Sequence, residues 1–301
     1  MKFHMRKICL LLAVSVVAGV APLAMAGVTH EIAAPQLDGQ SVHVEVYLPP
    51  NYDRAKRYPV LYFNDGQDAK PIHLERRLAQ HYAQRDAIPR IVVAVHMLPD
   101  RMGTYGLADT QRSISEVAVT RYGEVGQRAL PYTRWFTQTL VPFIDAHYAT
   151  QADAQGRAVL GWSLGAIAAF SIGWQDPGQF GSVGMFSPSL WLTADTSDAT
   201  AKRLVQQRVE HDVRQSRPAI YLAIGTREDD DDRDSDGIND AVDDVFDMSR
   251  ALTQSEVPHT TVLLGGGQHN QAAWSEMLPR YLNWLDTQTK SQSVIRGIPL
   301  N

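Results

Sequence analysis

The sequence predicts an α/β fold with a mostly parallel central sheet and helices on both faces. Three observations predict it. Short apolar runs rich in branched residues recur along the chain, helical patterns separate them almost to the end, and no internal repeat or long flexible linker interrupts the series. Continuous runs of this kind mark strands buried on both faces, and their alternation with helices argues for one open parallel sheet. After removal of a leader, about 275 residues remain, a length compatible with a single large α/β domain.

The leader comes first in the chain. Arg6 and Lys7 precede an apolar run from Ile8 to Val20, and Ala24-Met25-Ala26 supplies a small-residue cleavage site, the three parts of a secretory signal. A membrane anchor would need roughly 20 apolar residues, and this run ends sooner, before Pro22. The expectation is a signal peptide over 1–26, cleavage after Ala26, and a periplasmic or secreted protein with no stable membrane insertion. The only cysteine, Cys9, falls inside that signal, so neither a disulfide nor thiol chemistry is expected of the mature chain. Net charge is −5, with the acidity gathered near residue 230, which gives no electrostatic footprint for nucleic acid or an anionic membrane.

The domain is expected to span 27–290, with 291–301 as a C-terminal tail. Alternation from Ser41 to Leu48 reads as a half-buried strand, suited to an antiparallel edge and ended by Pro49-Pro50-Asn51. Val60 to Phe63, Ile91 to Val95, Val159-Leu160, Val183 to Phe186, Ile220 to Ile224 and Thr261 to Leu264 read as the buried parallel strands. Helical patterns cover His73 to Gln84, Thr133 to Tyr148, Leu164 to Trp174, Asp240 to Ser255 and Gln271 to Leu285. In the second of these, Trp135, Phe136, Leu140, Phe143 and Ile144 share the inward face.

Residues 161–165 read Gly-Trp-Ser-Leu-Gly, between a strand and an apolar helix. A G-x-S-x-G motif in that setting raises its serine above the sheet on a tight turn at a helix N-terminus, where the helix dipole favours negative charge. Taken alone, five residues are weak, since a capping serine in a glycine-lined turn gives the same pattern. Strand, helix and downstream partners together make Ser163 the candidate nucleophile.

A serine hydroxyl needs a base to take its proton, and imidazole suits that task near neutrality. Chemistry in parallel α/β sheets gathers at the C-terminal ends of strands. His211 lies in a polar helical stretch and His259 precedes its strand, whereas His269 follows the last strand across Gly265-Gly266-Gly267-Gln268. His269 is therefore the candidate base. The acid should leave the preceding strand and fix the imidazole tautomer. Glu228 is the choice, with Asp229, Asp230 and Asp231 beside it as alternatives. For the oxyanion the candidates are the Leu164 amide, directly after the nucleophile, and a donor from Asn64-Asp65-Gly66-Gln67, with Gln67 preferred; an ordinary Asp-Gly turn is the plain alternative there. Trp162, Trp191 and Tyr105 are candidates for an aromatic pocket, against the usual fate of aromatics as core.

These residues resemble the esterase family of α/β hydrolases that includes esterase D, enterochelin esterases, feruloyl esterases and the antigen 85 acyltransferases. The matching pieces are Tyr58 to Gln67, Gly161 to Gly165, Phe186-Ser187-Pro188-Ser189-Leu190-Trp191, Gly225-Thr226-Arg227-Glu228 and Gly267-Gln268-His269-Asn270. The resemblance implies an α/β-hydrolase fold and carboxylic-ester hydrolysis through an acyl-enzyme, with a siderophore or an aryl ester among the possible small-molecule substrates. It supports Ser163, Glu228, His269, Leu164 and Gln67, and it implies a substrate-facing segment near Arg101 and Tyr105. Two departures stand out: Asn64 replaces a leucine common in relatives, and an acidic insertion over 229–243 follows Glu228.

From Asp232 the insertion places oxygen ligands at loop positions one, three, five, nine and twelve and glycine at six, as calcium loops of the EF-hand type require. Asp232, Asp234, Asp236, Asp240 and Asp243 would supply carboxylates and Ile238 its carbonyl, for a structural calcium. A solvated acidic run is the ordinary alternative. No cofactor is expected for the chemistry. Two other functional readings fit the same residues: an acyltransferase, which shares the catalytic set, and a noncatalytic calcium-binding protein on the same scaffold.

Overall fold

The computed structural model describes residues 27–120, 122–193 and 203–296. The expected leader, 1–26, lies outside the described residues, as do residues 297–301 of the expected tail.

Eight strands form one sheet: β1 Val28–Ala34, β2 Gln40–Tyr47, β3 Val60–Asn64, β4 Ile91–Val95, β5 Arg157–Trp162, β6 Ser182–Phe186, β7 Ala219–Gly225 and β8 His259–Leu264. Their spatial order is β1-β2-β4-β3-β5-β6-β7-β8. The last six are mutually parallel, while β2 runs antiparallel to β4 and to β1. Every residue of β3, β4, β5 and β6 is buried, which is why their central residues read as apolar runs. Val42, Val44 and Val46 of β2 point inward and are buried, with polar residues between them.

The edges differ from expectation. β2 is antiparallel but is not the edge, because β1 pairs along it from Val28 with Val46 to Ala34 with Gln40. The Thr29-His30-Glu31 start of β1 carries too few apolar residues to show a period. At the other edge, β8 is only partly buried, with Leu263 exposed.

Besides the short helix Arg101–Thr104, the helices are α1 Leu74–Tyr82, α2 Ala129–Trp135, α3 Val141–His147, α4 Leu164–Gln175, α5 Leu204–Glu210, α6 Asp240–Gln254 and α7 Gln271–Arg296. A π-helical turn, Phe136–Leu140, joins α2 to α3, and the Val141 N–H reaches back to the Phe136 carbonyl. That wider turn precedes Pro142, which has no N–H to continue an α-helical ladder. α7 continues past Pro279 to Arg296, so the helix extends beyond residue 290 into the expected tail.

Alternate side chains of each strand feed two cores. Val60, Tyr62, Val93, Val159 and Ile220 pack with Trp135, Phe136, Ile144, Phe170 and Val245. Leu61, Phe63, Val92, Leu160 and Phe186 pack on the opposite face with Leu78, Met277, Tyr281 and Leu285. Helices thus cover both faces, and the loops at the C-terminal strand ends are left to build a site.

Candidate active site

Ser163 stands between β5 and α4 with φ 55° and ψ −129°, a region costly for a residue with a Cβ and found where surrounding structure enforces it. The flanking glycines explain the enforcement. A Cβ on Gly161 would lie 2.0 Å from the Gly165 carbonyl oxygen, and one on Gly165 would lie 2.5 Å from Asp65 Oδ2. Glycine at 161 therefore lets strand and helix close on each other, and glycine at 165 lets the Asp65 carboxylate pack against the helix start.

The Ser163 amide donates to the Phe186 carbonyl at 3.1 Å, and its own carbonyl accepts from the Ser189 amide at 3.2 Å. Its hydroxyl lies 3.3 Å from Ser189 Oγ. Among the described residues that is the hydroxyl's hydrogen-bond partner, and no hydrogen bond joins it to His269.

His269 and Glu228 are brought together, with Nδ1 2.7 Å from Oε2. The other carboxylate oxygen accepts from Ser187 Oγ at 2.6 Å and from the Gly225 amide at 2.7 Å. The Glu228 side chain is 1% exposed and that of His269 42%. Asp229, Asp230 and Asp231 are exposed. The acid and histidine loops are stitched to each other: Thr226 N–H donates to Leu264 O at 3.0 Å, Arg227 N–H to Gly267 O at 2.9 Å and Gly266 N–H to Thr226 Oγ1 at 2.8 Å.

Trp274 links these pieces. Its ring meets His269 edge-on at 5.5 Å and stacks on Trp162 at 5.3 Å, while its indole N–H donates to Ser187 Oγ at 3.0 Å. Sequence reasoning misses Ser187, Ser189 and Trp274. The two serines lie in the segment Phe186 to Trp191 that resembles the family and leave the C-terminal end of β6, next to β5, signals that could have found them; Trp274 carries none beyond being a helix aromatic.

Leu164 opens α4 and Gln67 sits in the 3-10 turn Gly66–Asp68. Neither backbone amide has an acceptor among the described residues, as expected in a first helical turn. The Gln67 side chain is tethered, its Nε2 donating to Asp65 Oδ1 at 3.2 Å and its Oε1 accepting from Met97 N–H at 3.1 Å. Asn64, fully buried, donates to Gly165 O at 2.9 Å and accepts from Tyr132 OH at 2.7 Å. A leucine here could make neither bond, so Asn64 clamps the turn before Gln67 to the start of α4.

The expected substrate contacts need correction. Arg101 Nε and Nη2 each lie 2.8 Å from an oxygen of Asp65, whose side chain is 1% exposed. That bidentate pair commits the guanidinium to the protein. Tyr105 is 0% exposed, and its hydroxyl accepts from the Asp65 amide at 3.2 Å. Trp162 is also buried, its indole N–H donating to Asp68 Oδ2 at 3.0 Å. Each has a polar handle pointing inward, so burial gains apolar contact without stranding a donor. Of the four, Trp191 stays open, facing exposed Tyr122 with ring centres 6.2 Å apart.

In the acidic loop, carboxylate oxygens of Asp232, Asp234 and Asp236 lie within 4.8 Å of one another. Asp243 Oδ2 is buried without a hydrogen-bond partner, and burial, then Asp236 and Asp234, raise the pKa of its carboxyl. Asp240 faces Arg233, accepting from its amide at 2.8 Å, and Ile238 is exposed with its amide bonded to Asp236 Oδ1 at 2.8 Å. Asn239 Nδ2 donates to Thr226 O at 3.2 Å, tying this loop to the strand end that carries Glu228.

A family profile described as "Putative esterase" matches residues 35–285. The chain is 28% identical over 186 residues to the uncharacterized protein YjcH of Bacillus subtilis, covering 62% of this chain and 67% of that protein. It is 26% identical over 179 residues to an endo-1,4-beta-xylanase/feruloyl esterase of Xylanibacter ruminicola, covering 56% of this chain but 22% of that protein. Among solved structures, a ferulic acid esterase superposes with a TM-score of 0.65 at 19% identity over 87% of this chain and 98% of its own. The enterobactin esterase FES of Shigella flexneri gives 0.65 at 16% identity over 86% of this chain and 58% of its own. The protein belongs to the "Putative esterase" family, a group of carboxylic ester hydrolases, and has the α/β-hydrolase fold.

Proposed function

We propose that the protein is an exported serine esterase that works through an acyl-enzyme on Ser163. The observation that carries this reading is a serine held at positive φ on a strand-to-helix turn, above the same sheet end as a hydrogen-bonded His269–Glu228 pair. Glu228 accepts a hydrogen bond from Nδ1–H of His269, which keeps the proton on Nδ1 and leaves Nε2 as the basic nitrogen. Rotation of the Ser163 hydroxyl from Ser189 toward Nε2 lets the imidazole accept its proton as the oxygen attacks an ester carbonyl. Amides of Leu164 and Gln67 receive the oxyanion. His269 then protonates the leaving alcohol, and water repeats the sequence to release the acid.

The substrate class we favour is an aryl or catechol-bearing ester, including siderophore esters. Exposed Trp191, two residues beyond Ser189, and Tyr122 facing it offer flat apolar surface, and solved relatives are named for ferulic acid and enterobactin. The leader supports a periplasmic or secreted location. Calcium in the acidic loop is supported by the orphaned Asp243 oxygen beside three gathered carboxylates, and through Asn239 it would steady the Glu228 loop.

The test is turnover of a simple chromogenic ester together with labelling by a fluorophosphonate. Wild type should turn over and label, and Ser163→Ala should do neither. Retained activity or labelling in the variant overturns the reading, and so does an inert, unlabelled wild type. Added alcohol that diverts the acyl group from water identifies an acyltransferase instead.

A further inference from the structure

A second cluster of ligating side chains lies away from the serine, on the outward face of the sheet's antiparallel flank. His43 and Glu45 are two apart on β2 and so share a face. Glu31 stands opposite His43 on β1. His96 follows β4 directly, and its amide donates to the His43 carbonyl at 3.0 Å. We propose that His43, Glu45 and His96 form a site for a divalent transition metal, with zinc as the ion to test.

The spacing fits. Glu45 Oε1 lies 3.2 Å from His96 Nε2 and 3.7 Å from His43 Nε2. A tetrahedral ion with arms of roughly 2.0–2.1 Å has ligand atoms about 3.4 Å apart. One ligand atom from each of the three residues can be chosen so that all lie within 4.8 Å of one another.

Two of the atoms that would not bind the ion are already engaged. His43 Nδ1 lies 2.5 Å from Glu31 Oε1, which holds the proton on Nδ1 and leaves the Nε2 lone pair free. Tyr47 OH donates to Glu45 Oε2, leaving Oε1 for the ion. Carboxylate support behind a ligating imidazole is the usual outer shell of a metal centre, and its removal typically weakens binding about 10–100-fold. The histidine rings meet edge-on at 4.4 Å, and the three side chains are 24–36% exposed, open enough for an ion and a water in the fourth position.

Two imidazoles with one carboxylate select zinc, copper or nickel over calcium or magnesium. The acidic loop, all oxygen, has the opposite preference, so two cations would sort to two places. An ion here ties β2 to the segment leaving β4, where the Met97 amide holds the Gln67 side chain.

Chelator-treated full chain is titrated with zinc by calorimetry in excess calcium, and separately with cobalt(II) by visible absorption. Stoichiometric zinc binding, a tetrahedral cobalt spectrum quenched by zinc, and at least tenfold weaker binding in His43→Gln, His96→Gln and Glu31→Gln are expected. Ser163→Ala should bind zinc as wild type does, which separates this site from the esterase reading. No saturable binding by wild type overturns the proposal. Octahedral cobalt in wild type does so as well, whatever the variants do, and unchanged affinity in folded histidine variants has the same force.

Discussion

Glu228 Oε2 lies 2.7 Å from His269 Nδ1, and the opposite oxygen of the same carboxylate is held by the Ser187 hydroxyl and the Gly225 amide. Three donors therefore converge on one buried acid. They fix its orientation, and through it the tautomer and direction of an imidazole that is itself half open to solvent. The acid can be rigid because the loops on either side are stitched by backbone bonds between Thr226, Arg227, Leu264 and Gly267.

Replacing Glu228 with glutamine keeps the shape of the group and removes the charge and the Nδ1 acceptor preference. Turnover is expected to fall by roughly 10⁴-fold, the scale known for carboxamide replacement of a triad acid, with a melting temperature close to wild type. Asp229→Asn and Asp230→Asn, at exposed positions, should stay near wild-type activity. Steady-state kinetics on the three variants decides between Glu228 and its acidic neighbours.

Arg101 and Asp65 make a prediction of a different kind. Arg101→Met leaves the Asp65 carboxylate, 1% exposed, without its guanidinium. Breaking a buried pair from one side costs about 3–5 kcal/mol, and a quarter-exposed arginine brings that to about 2–3 kcal/mol after screening. Asp65 sits against Gly165 and tethers Gln67, so the variant should lose both melting temperature and kcat. Arg101→Lys should rescue neither fully, because an ammonium cannot reproduce the planar two-point contact. A substrate-binding arginine would instead raise KM and leave the melting temperature alone, and thermal melts beside kinetics tell the two apart.

The fold was legible where burial is complete on both faces. β3, β4 and β6 appear in the chain as plain apolar runs, and the alternation of β2 marks its inner valines. β1 was illegible because its pairing with β2 depends on a partner strand more than on its own pattern. At the site, Ser163, Glu228 and His269 could be picked out because each leaves the C-terminal end of its own strand. Ser187 and Trp274 could not, since a serine after a strand and a tryptophan on a helix have many ordinary uses. The inward aim of Trp162 and Tyr105 was equally hidden: whether an aromatic lines a pocket or a core depends on where its polar atom finds a partner, here Asp68 and the Asp65 amide.

The acid limit of stability should depend on Asp286. Burial alone would raise the pKa of its carboxyl, yet His81, Arg90 and the Ile88 amide together hold it below the ordinary value. Arg90 is itself buried and donates to Oδ1, and Ile88 N–H donates to Oδ2 at 3.1 Å. His81 Nε2 lies 3.1 Å from the same carboxylate. A carboxyl depressed in the folded state stabilises it above the unfolded pKa, about 3.9, and that stability is lost as pH falls through the folded value. Asp286→Asn should therefore melt lower than wild type by a constant margin above pH of about 5, and the margin should shrink below about 4. A margin independent of pH throughout would remove Asp286 from this role.

Asp243 gives the sharpest prediction for calcium. Its Oδ2 is buried with no donor, and the neighbouring carboxylates of Asp236 and Asp234 add like charge. Without a cation, removing this charge relieves repulsion and the burial of an unpaired oxygen. With calcium, the same oxygen is a ligand at the twelfth loop position, and its loss weakens the site. Asp243→Asn should then melt above wild type in chelator and below it in saturating calcium, so that the order of the two proteins inverts with the ion. An exposed acidic loop with no metal predicts one order under both conditions. Differential scanning calorimetry of the two proteins in chelator and in calcium reads the answer, and esterase rate on the same samples shows whether the Asn239–Thr226 contact carries the effect to Glu228.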